Sequence, residues 1–176
     1  AYAGAALTRL GGTSNGNRKV DIWYKTAPAT GANNVVITMS GATAYLTGHA
    51  HSITGVDQTT PLGAIQTGTG AASGPTITVV SVARDLVVDV VIGNSSVGAA
   101  GAGQTERTAQ DDAVDDYTKT SNERATGTST TMSWSDVTTW AMAGVGVKGS
   151  PGTAAAPIVL TKAITTPPLG VYRVLA

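Results

Sequence analysis

The chain holds two histidines, and both stand in one short segment, at His49 and His51. On an extended strand that spacing aims both imidazoles at one face, close enough to chelate a transition metal. Two nitrogens are half of a tetrahedral set, however. Cysteine is absent and the nearest acidic residue is Asp57, so a polar strand face is the expected use. Oxygen chemistry has one candidate: Asp111, Asp112, Asp115 and Asp116, with Glu106 and Glu123 nearby, are the hard ligands that calcium takes. Their spacing is not that of an EF-hand, and an isolated acidic loop is usually a solvated face. Beyond calcium no cofactor is expected.

Two glycine motifs spell catalytic or cofactor signatures. Gly12-Thr13-Ser14-Asn15-Gly16 matches the G-x-S-x-G nucleophile elbow, which needs a buried strand before the serine, a helix after it and a histidine base beside it. The segment after it, Arg18 to Lys25, is an alternating strand rather than a helix, so Asn15-Gly16 reads as a hairpin turn. Gly144-Val145-Gly146-Val147-Lys148-Gly149 spells the dinucleotide fingerprint, which must open a helix onto a pyrophosphate. Ser150-Pro151-Gly152 comes next instead, and close packing within a sheet accounts for the glycines. No base, nucleophile and orienting group assemble from adjacent histidines and scattered carboxylates, so no catalytic residue is assigned and no enzyme is expected. Asn94-Ser95-Ser96 is a glycosylation sequon of low specificity. Trp23, Trp134 and Trp140 are expected in strands, as core packing units in a chain without Phe; exposed, they would suit a surface glycan.

Composition narrows the classes further. The 176 residues suit one domain with a tail. Eleven Lys and Arg against eleven Asp and Glu give no net charge, so no global field draws the chain to nucleic acid or an anionic membrane. Only 12% of residues are charged and 41% are apolar, a surface of hydroxyls rather than ion pairs that favours self-association. No apolar run reaches the ~18 residues of a membrane helix, and no membrane span is expected. The start at Ala1, with neither Met nor a signal segment, suggests a processed or partial chain.

The elements that must position these residues have a period of two. Val20, Ile22 and Tyr24 share one face, and Lys19, Asp21, Trp23 and Lys25 the other. Turn residues over Ala27 to Asn33 lead to a second strand through Val35, Ile37 and Met39. Further strands are expected over Ala44 to Thr54, Thr76 to Val82, Asp85 to Ile92, Thr128 to Trp134 and Thr139 to Lys148. The segment Asp85 to Ile92 is apolar on both faces apart from Asp89 and belongs at a sheet centre. Ala109 to Asp116 allows one short turn of helix at most. The fold class is therefore all-β, an antiparallel β-sandwich of jelly-roll or Ig-like type with a C-terminal extended tail. Residues 1–148 form the sandwich, 149–157 a linker and 158–176 a strand-forming tail, with Ile158, Leu160 and Ile164 on one face and Leu169, Val171 and Leu175 on another.

Several segments in this order resemble a known module: Val20-Asp21-Ile22-Trp23-Tyr24, Ala27-Pro28-Ala29-Thr30-Gly31 leading to Val35-Val36-Ile37-Thr38-Met39-Ser40-Gly41, Ser52-Ile53-Thr54-Gly55-Val56-Asp57-Gln58-Thr59-Thr60-Pro61-Leu62-Gly63, Asp85-Leu86-Val87-Val88-Asp89-Val90-Val91, Gly101-Ala102-Gly103-Gln104-Thr105, and Met132-Ser133-Trp134 ahead of Trp140-Ala141 and Val145-Gly146-Val147-Lys148. The chain is similar over Ala1 to Lys148 to a Thr/Gly/Ala-rich β-sandwich module recurrent in bacterial, phage and environmental surface proteins, here without its usual first strands. The resemblance implies a non-catalytic extracellular or virion module. A sandwich lacking strands exposes an edge, and an apolar tail needs a groove. Together they suggest a homopolymer, a pilus-like extracellular filament in which the tail of one subunit completes the next, with Ile158, Leu160, Ile164, Leu169, Val171, Tyr172 and Leu175 as subunit contacts. Completion of the sandwich by its own tail is the competing arrangement. A virion decoration or a glycan-binding adhesive module is the alternative function.

Overall fold

The structure is a computed structural model that describes residues 1–38, 46–72, 74–94, 96–111, 116–135, 137–150 and 159–165, with side chains omitted for Asp111 and for 159–165. Its strands are β1 (Thr8–Asn15), β2 (Arg18–Tyr24), β3 (His49–Thr54), β4 (Gln66–Gly70), β5 (Thr76–Val80), β6 (Leu86–Gly93), β7 (Thr105–Asp111), β8 (Tyr117–Arg124), β9 (Ser129–Ser133), β10 (Trp140–Val147) and β11 (Val159–Thr165). Every pairing between them is antiparallel. The chain is an all-β antiparallel sandwich, and no helix occurs among the described residues.

The centre is a five-stranded sheet in the order β4-β10-β6-β8-β7. Because both faces of this sheet are covered, β6 and β10 alternate between two apolar layers rather than between core and water. Val87 and Val91 of β6, with Trp140 and Met142 of β10, pack against Ile77 and Val79 of β5 and Met132 of β9. On the opposite face Val90, Ile92, Ala141 and Ala143 meet Val20 and Ile22 of β2. Leu86, Val88 and Val147 on that same face meet Ile53 of β3 together with Val56 and Leu62. The β5–β9 pair thus forms one outer layer, and the β1–β2 hairpin and the β3–β11 pair form the other.

Most of the expected strands stand where the period of two places them, with three differences. Val35 makes a single bridge to Tyr2, and no strand runs through Val36 and Ile37, each 43% exposed. The backbone there is occupied by the N-terminus: Val36 N donates to Ala1 O, and the Ala1 ammonium donates to Val36 O at 2.6 Å. Met39 lies outside the described residues. The short helix allowed over Ala109 to Asp116 is absent where that segment is described. Ala109, Gln110 and Asp111 stand in β7 opposite Lys119, Thr118 and Tyr117, so their backbone groups belong to a sheet ladder. Finally, β1, β4, β7 and β8 are strands that the apolar pattern does not signal.

The end of the body runs past Lys148. Gly149 bridges Val56 and Ser150 N donates to Gly55 O at 2.9 Å, so both positions are tied to the sandwich. Residues 151–157 of the expected linker lie outside the described residues. Strand β11 then pairs with β3 of its own chain, from Val159 opposite Thr54 to Thr165 opposite His49.

Candidate functional site

The two histidines meet the central sheet at its most polar point. Strand β3 turns His49, His51 and Ile53 inward, as its alternation requires, and Ile53 alone reaches the apolar cluster. The floor beneath the histidines is formed by β8 and β7, whose inward positions are Thr118, Thr120, Asn122 and Thr108, all buried. His49 Nδ1 lies 2.7 Å from Thr108 Oγ1, and His49 Nε2 lies 2.8 Å from Thr118 Oγ1. Thr108 Oγ1 is also 2.5 Å from Thr120 Oγ1, so the ring closes a chain of hydroxyls. One hydroxyl must donate to the bare ring nitrogen while the ring N–H donates to the other.

Arg107 belongs to the same cluster through a β-bulge. The β7–β8 register shifts between Glu106 and Thr108, which leaves Arg107 as the extra residue. A bulge re-aims a side chain, and here Nε of Arg107 donates to Asn122 Oδ1. His51 has no such partner among the described residues: its buried Nδ1 makes no hydrogen bond to them. Burial, and next the charge of His51, pulls His49 down from 6.5 to about 4. Burial, and next the Arg107 guanidinium, does the same to His51. Both rings are therefore neutral at physiological pH. Among the described residues no group of three or more metal-ligating side chains forms around them.

A second polar cluster lies on the other face of the sheet. Asp89 Oδ1 accepts from Ser121 N at 2.8 Å and Ser121 Oγ at 2.6 Å, and Oδ2 accepts from Trp134 Nε1 at 2.8 Å. Gln104 extends the network: its amide donates to Ser121 Oγ at 2.7 Å and its carbonyl accepts from Ser133 N at 2.7 Å. Burial outweighs these donors and pushes Asp89 up from 3.8 to about 6. With three protein donors on its two oxygens, Asp89 clamps the central sheet to the end of β9. Beside it Lys119 pairs with Glu106 at 3.0 Å and lies 5.8 Å above the Trp134 ring.

The remaining candidates are scattered. Of the acidic group, Asp116 is ion-paired with Arg18 of β2, Asp111 ends β7, and Asp112 and Asp115 lie outside the described residues. Ser14 is an exposed position of β1, and the turn after it is formed by Gly16 and Asn17, one residue later than Asn15-Gly16, with Gly16 at φ 62°. Gly144 faces β5, where an added Cβ would come within 2.8 Å of Ile77 Cδ1, so close sheet packing explains the second motif. Trp134 and Trp140 are buried, while Trp23 is 51% exposed on the outer face of β2. Of the seven tail contacts, Leu160 and Ile164 stand in β11, opposite Ile53 and Ala50. A bulge between Leu160 and Lys162 interrupts their expected alternation. Ile158, Leu169, Val171, Tyr172 and Leu175 lie outside the described residues.

The sequence spacing locates the histidine pair but not its partners, which come from strands more than fifty residues away. A usable signal exists in the alternation of Thr118, Thr120 and Asn122, a period of two written in small polar residues. No protein-family model, curated protein or solved structure matches the chain. No helix among the described residues is long and apolar enough to cross a membrane.

Proposed function

We propose that the chain is a structural subunit of an extracellular filament, without a catalytic role, assembled by exchange of the 159–165 strand between copies. The observation behind this reading is the β11–β3 pair, in which the tail completes its own sandwich with a register that the tail of a second copy would reproduce. A strand from beyond the last core strand fills the hydrogen-bonding edge of β3, and residues 151–158 separate it in sequence from the body. The same rungs serve equally when β11 comes from a second copy, because the register depends on the two strands and not on their connection. A head-to-tail exchange that does not close builds a fibre. The absence of net charge and the hydroxyl-rich surface favour such association. Tail residues Ile158, Leu160, Ile164, Leu169, Val171, Tyr172 and Leu175 are the donor-side contacts. Burying several of them contributes on the order of 6–15 kcal/mol before ordering costs, enough for a durable joint.

Deleting residues 157–176 tests the reading by negative-stain electron microscopy and sedimentation. The full chain is expected to form fibres, and the truncated chain to remain monomeric. Normal fibres from the truncated chain would overturn the proposal.

Trp23 favours a second reading, an adhesive module on a cell or virion surface. It stands on the outer face of β2 with Lys19 and Asp21, where an indole is a platform for a sugar ring. Trp23→Ala should change stability by no more than about 0.5 kcal/mol in urea denaturation. Glycan-array binding by the monomer that disappears in this variant would support the adhesive reading, and an array without signal would remove it.

A further inference from the structure

We propose that His49 and His51 form an acid-operated clasp: protonation of the pair lifts β3, with β11 paired to it, off the β7–β8 edge of the central sheet. That the freed strand then pairs with a second copy rests on the filament reading; the opening itself rests on geometry.

The contact is built for neutral rings. His49 uses both nitrogens against hydroxyls, Nδ1 to Thr108 and Nε2 to Thr118. An imidazolium donates from both, so the threonine that donated to the ring must turn its proton away. Thr108 is not free to do so independently, since its oxygen is 2.5 Å from Thr120 Oγ1. For His51 the change is harsher. Its Nδ1 is buried without a partner among the described residues, and a proton there would be a buried N–H with no acceptor among them.

The charges described around the pair do not relieve it. Among the described side chains, the guanidinium of Arg107 comes from β7 and the other histidine from β3 itself; on β11 the register position opposite His51 is Ala163, and that of Lys162 is opposite Ser52, an exposed position of β3. Strand β6 presents Val88, Val90 and Ile92 on this face, and β8 presents Thr118, Thr120 and Asn122. Asp116, at the start of β8, is ion-paired with Arg18 of β2, and Asp111 ends β7 opposite Tyr117. Two new positive charges would thus sit beside each other, with the Arg107 guanidinium as the next charge. The apolar anchor that would resist them is small, because Ile53 is the inward residue of β3 that joins the Leu86–Val147 cluster. Burial holds both rings uncharged until about pH 4, which sets the acidity that operates the clasp.

Amide hydrogen exchange of the full chain, compared at pH 4 and pH 7 after correction for intrinsic rates, reads the opening directly. Amides of 49–54 and 159–165 are expected to lose at least tenfold protection at pH 4 while β6 and β10 keep theirs. In His49→Gln/His51→Gln, which keeps hydrogen-bonding side chains and cannot charge, that loss should vanish. Unchanged protection at pH 4, loss shared equally by β6 and β10, or an equal loss in the variant would each overturn the clasp. Should the variant not fold, ring titration of the unmodified protein by NMR decides. Titration below about pH 5 together with loss of β3 protection supports the clasp, and titration near 6.5 overturns it. All of this is read on dilute protein before fibres form, so a clasp that stays shut leaves the filament reading to the truncation.

Discussion

Gly12→Ala is expected to detach the β1–β2 hairpin from the sandwich and to lower stability by about 3 kcal/mol or more in urea denaturation, whereas Ser14→Ala should change nothing measurable. Gly12 stands opposite Asp21, just after the bulge at Arg9/Gly11. A Cβ at this position would fall inside the van der Waals radius of the Val20 carbonyl oxygen and 2.8 Å from Asp21 Cα. Backbone cannot swing aside as a long side chain can, so the two strands must separate. Their separation withdraws Val20 and Ile22 from Ala141, Ala143, Val90 and Ile92 and exposes that face of β6 and β10. It also loosens the hairpin tip, where Asn15 Nδ2 donates to Gly70 O at 2.8 Å and Trp140 O at 3.2 Å. Gly16→Ala is the control: a Cβ there meets open space, and the cost is limited to the strain of its φ, about 1 kcal/mol. A G-x-S-x-G motif in which the first glycine matters and the serine does not is a strand-packing device. Normal stability of Gly12→Ala would show that the hairpin is not seated this closely.

Packing also decides which parts of the fold are legible in the sequence. Strands β2 and β5 alternate apolar with polar residues, β6 and β10 are nearly continuous apolar or small-residue runs, β9 carries Met132, and each stands within a few residues of its expected place. Strands β7 and β8 do not show that pattern, because their buried positions are Thr108, Thr118, Thr120, Ser121 and Asn122. Those positions satisfy one another and the two histidines through hydroxyls, so polarity there is not a sign of a loop. In β4 the alternation is Gly68 and Gly70 against threonines, which leaves nothing apolar to count. Over 35–37 the mismatch is the reverse. Val35, Val36 and Ile37 read as a strand, but the backbone pairs with Ala1 and Tyr2 for one rung and then stops. Side-chain type marks the faces of a strand; it does not say whether a neighbouring strand is there. For the site, the spacing of His49 and His51 predicts a shared face, and Asp89 stands out as the polar residue in a central strand. Their partners are set by topology, from Thr108, Thr118, Ser121 and Trp134, and local sequence does not carry that information.

These two buried sites make stability depend on pH in opposite directions. An unfolded histidine takes its proton near 6.5, but in the fold neither ring does so until about 4. Between those values the unfolded chain holds more protons, so the histidine contribution is fully present above 6.5 and is lost as pH falls toward 4. Asp89 behaves oppositely. Its folded value of about 6 lies above the ordinary 3.8, so the folded chain holds the extra proton in that interval. Its contribution is full below 3.8 and is lost as pH rises through 6. Each shift corresponds to about 3 kcal/mol, with the two histidines coupled and so not strictly additive. At pH 5 two histidines oppose one aspartate, and unfolding free energy should rise by about 1 kcal/mol per pH unit. Asp89→Asn removes the opposing group and should roughly double that slope, on top of a uniform loss from setting an amide against Trp134 Nε1. His49→Gln/His51→Gln should reverse its sign, so that the variant becomes less stable from pH 4 to pH 6. Urea titrations at half-unit steps measure all three slopes. A single slope shared by the three proteins would mean that neither buried site differs in proton affinity between the folded and unfolded chains. Since the slopes depend on proton counts alone, they separate the two sites even where a substitution also shifts stability by a constant amount.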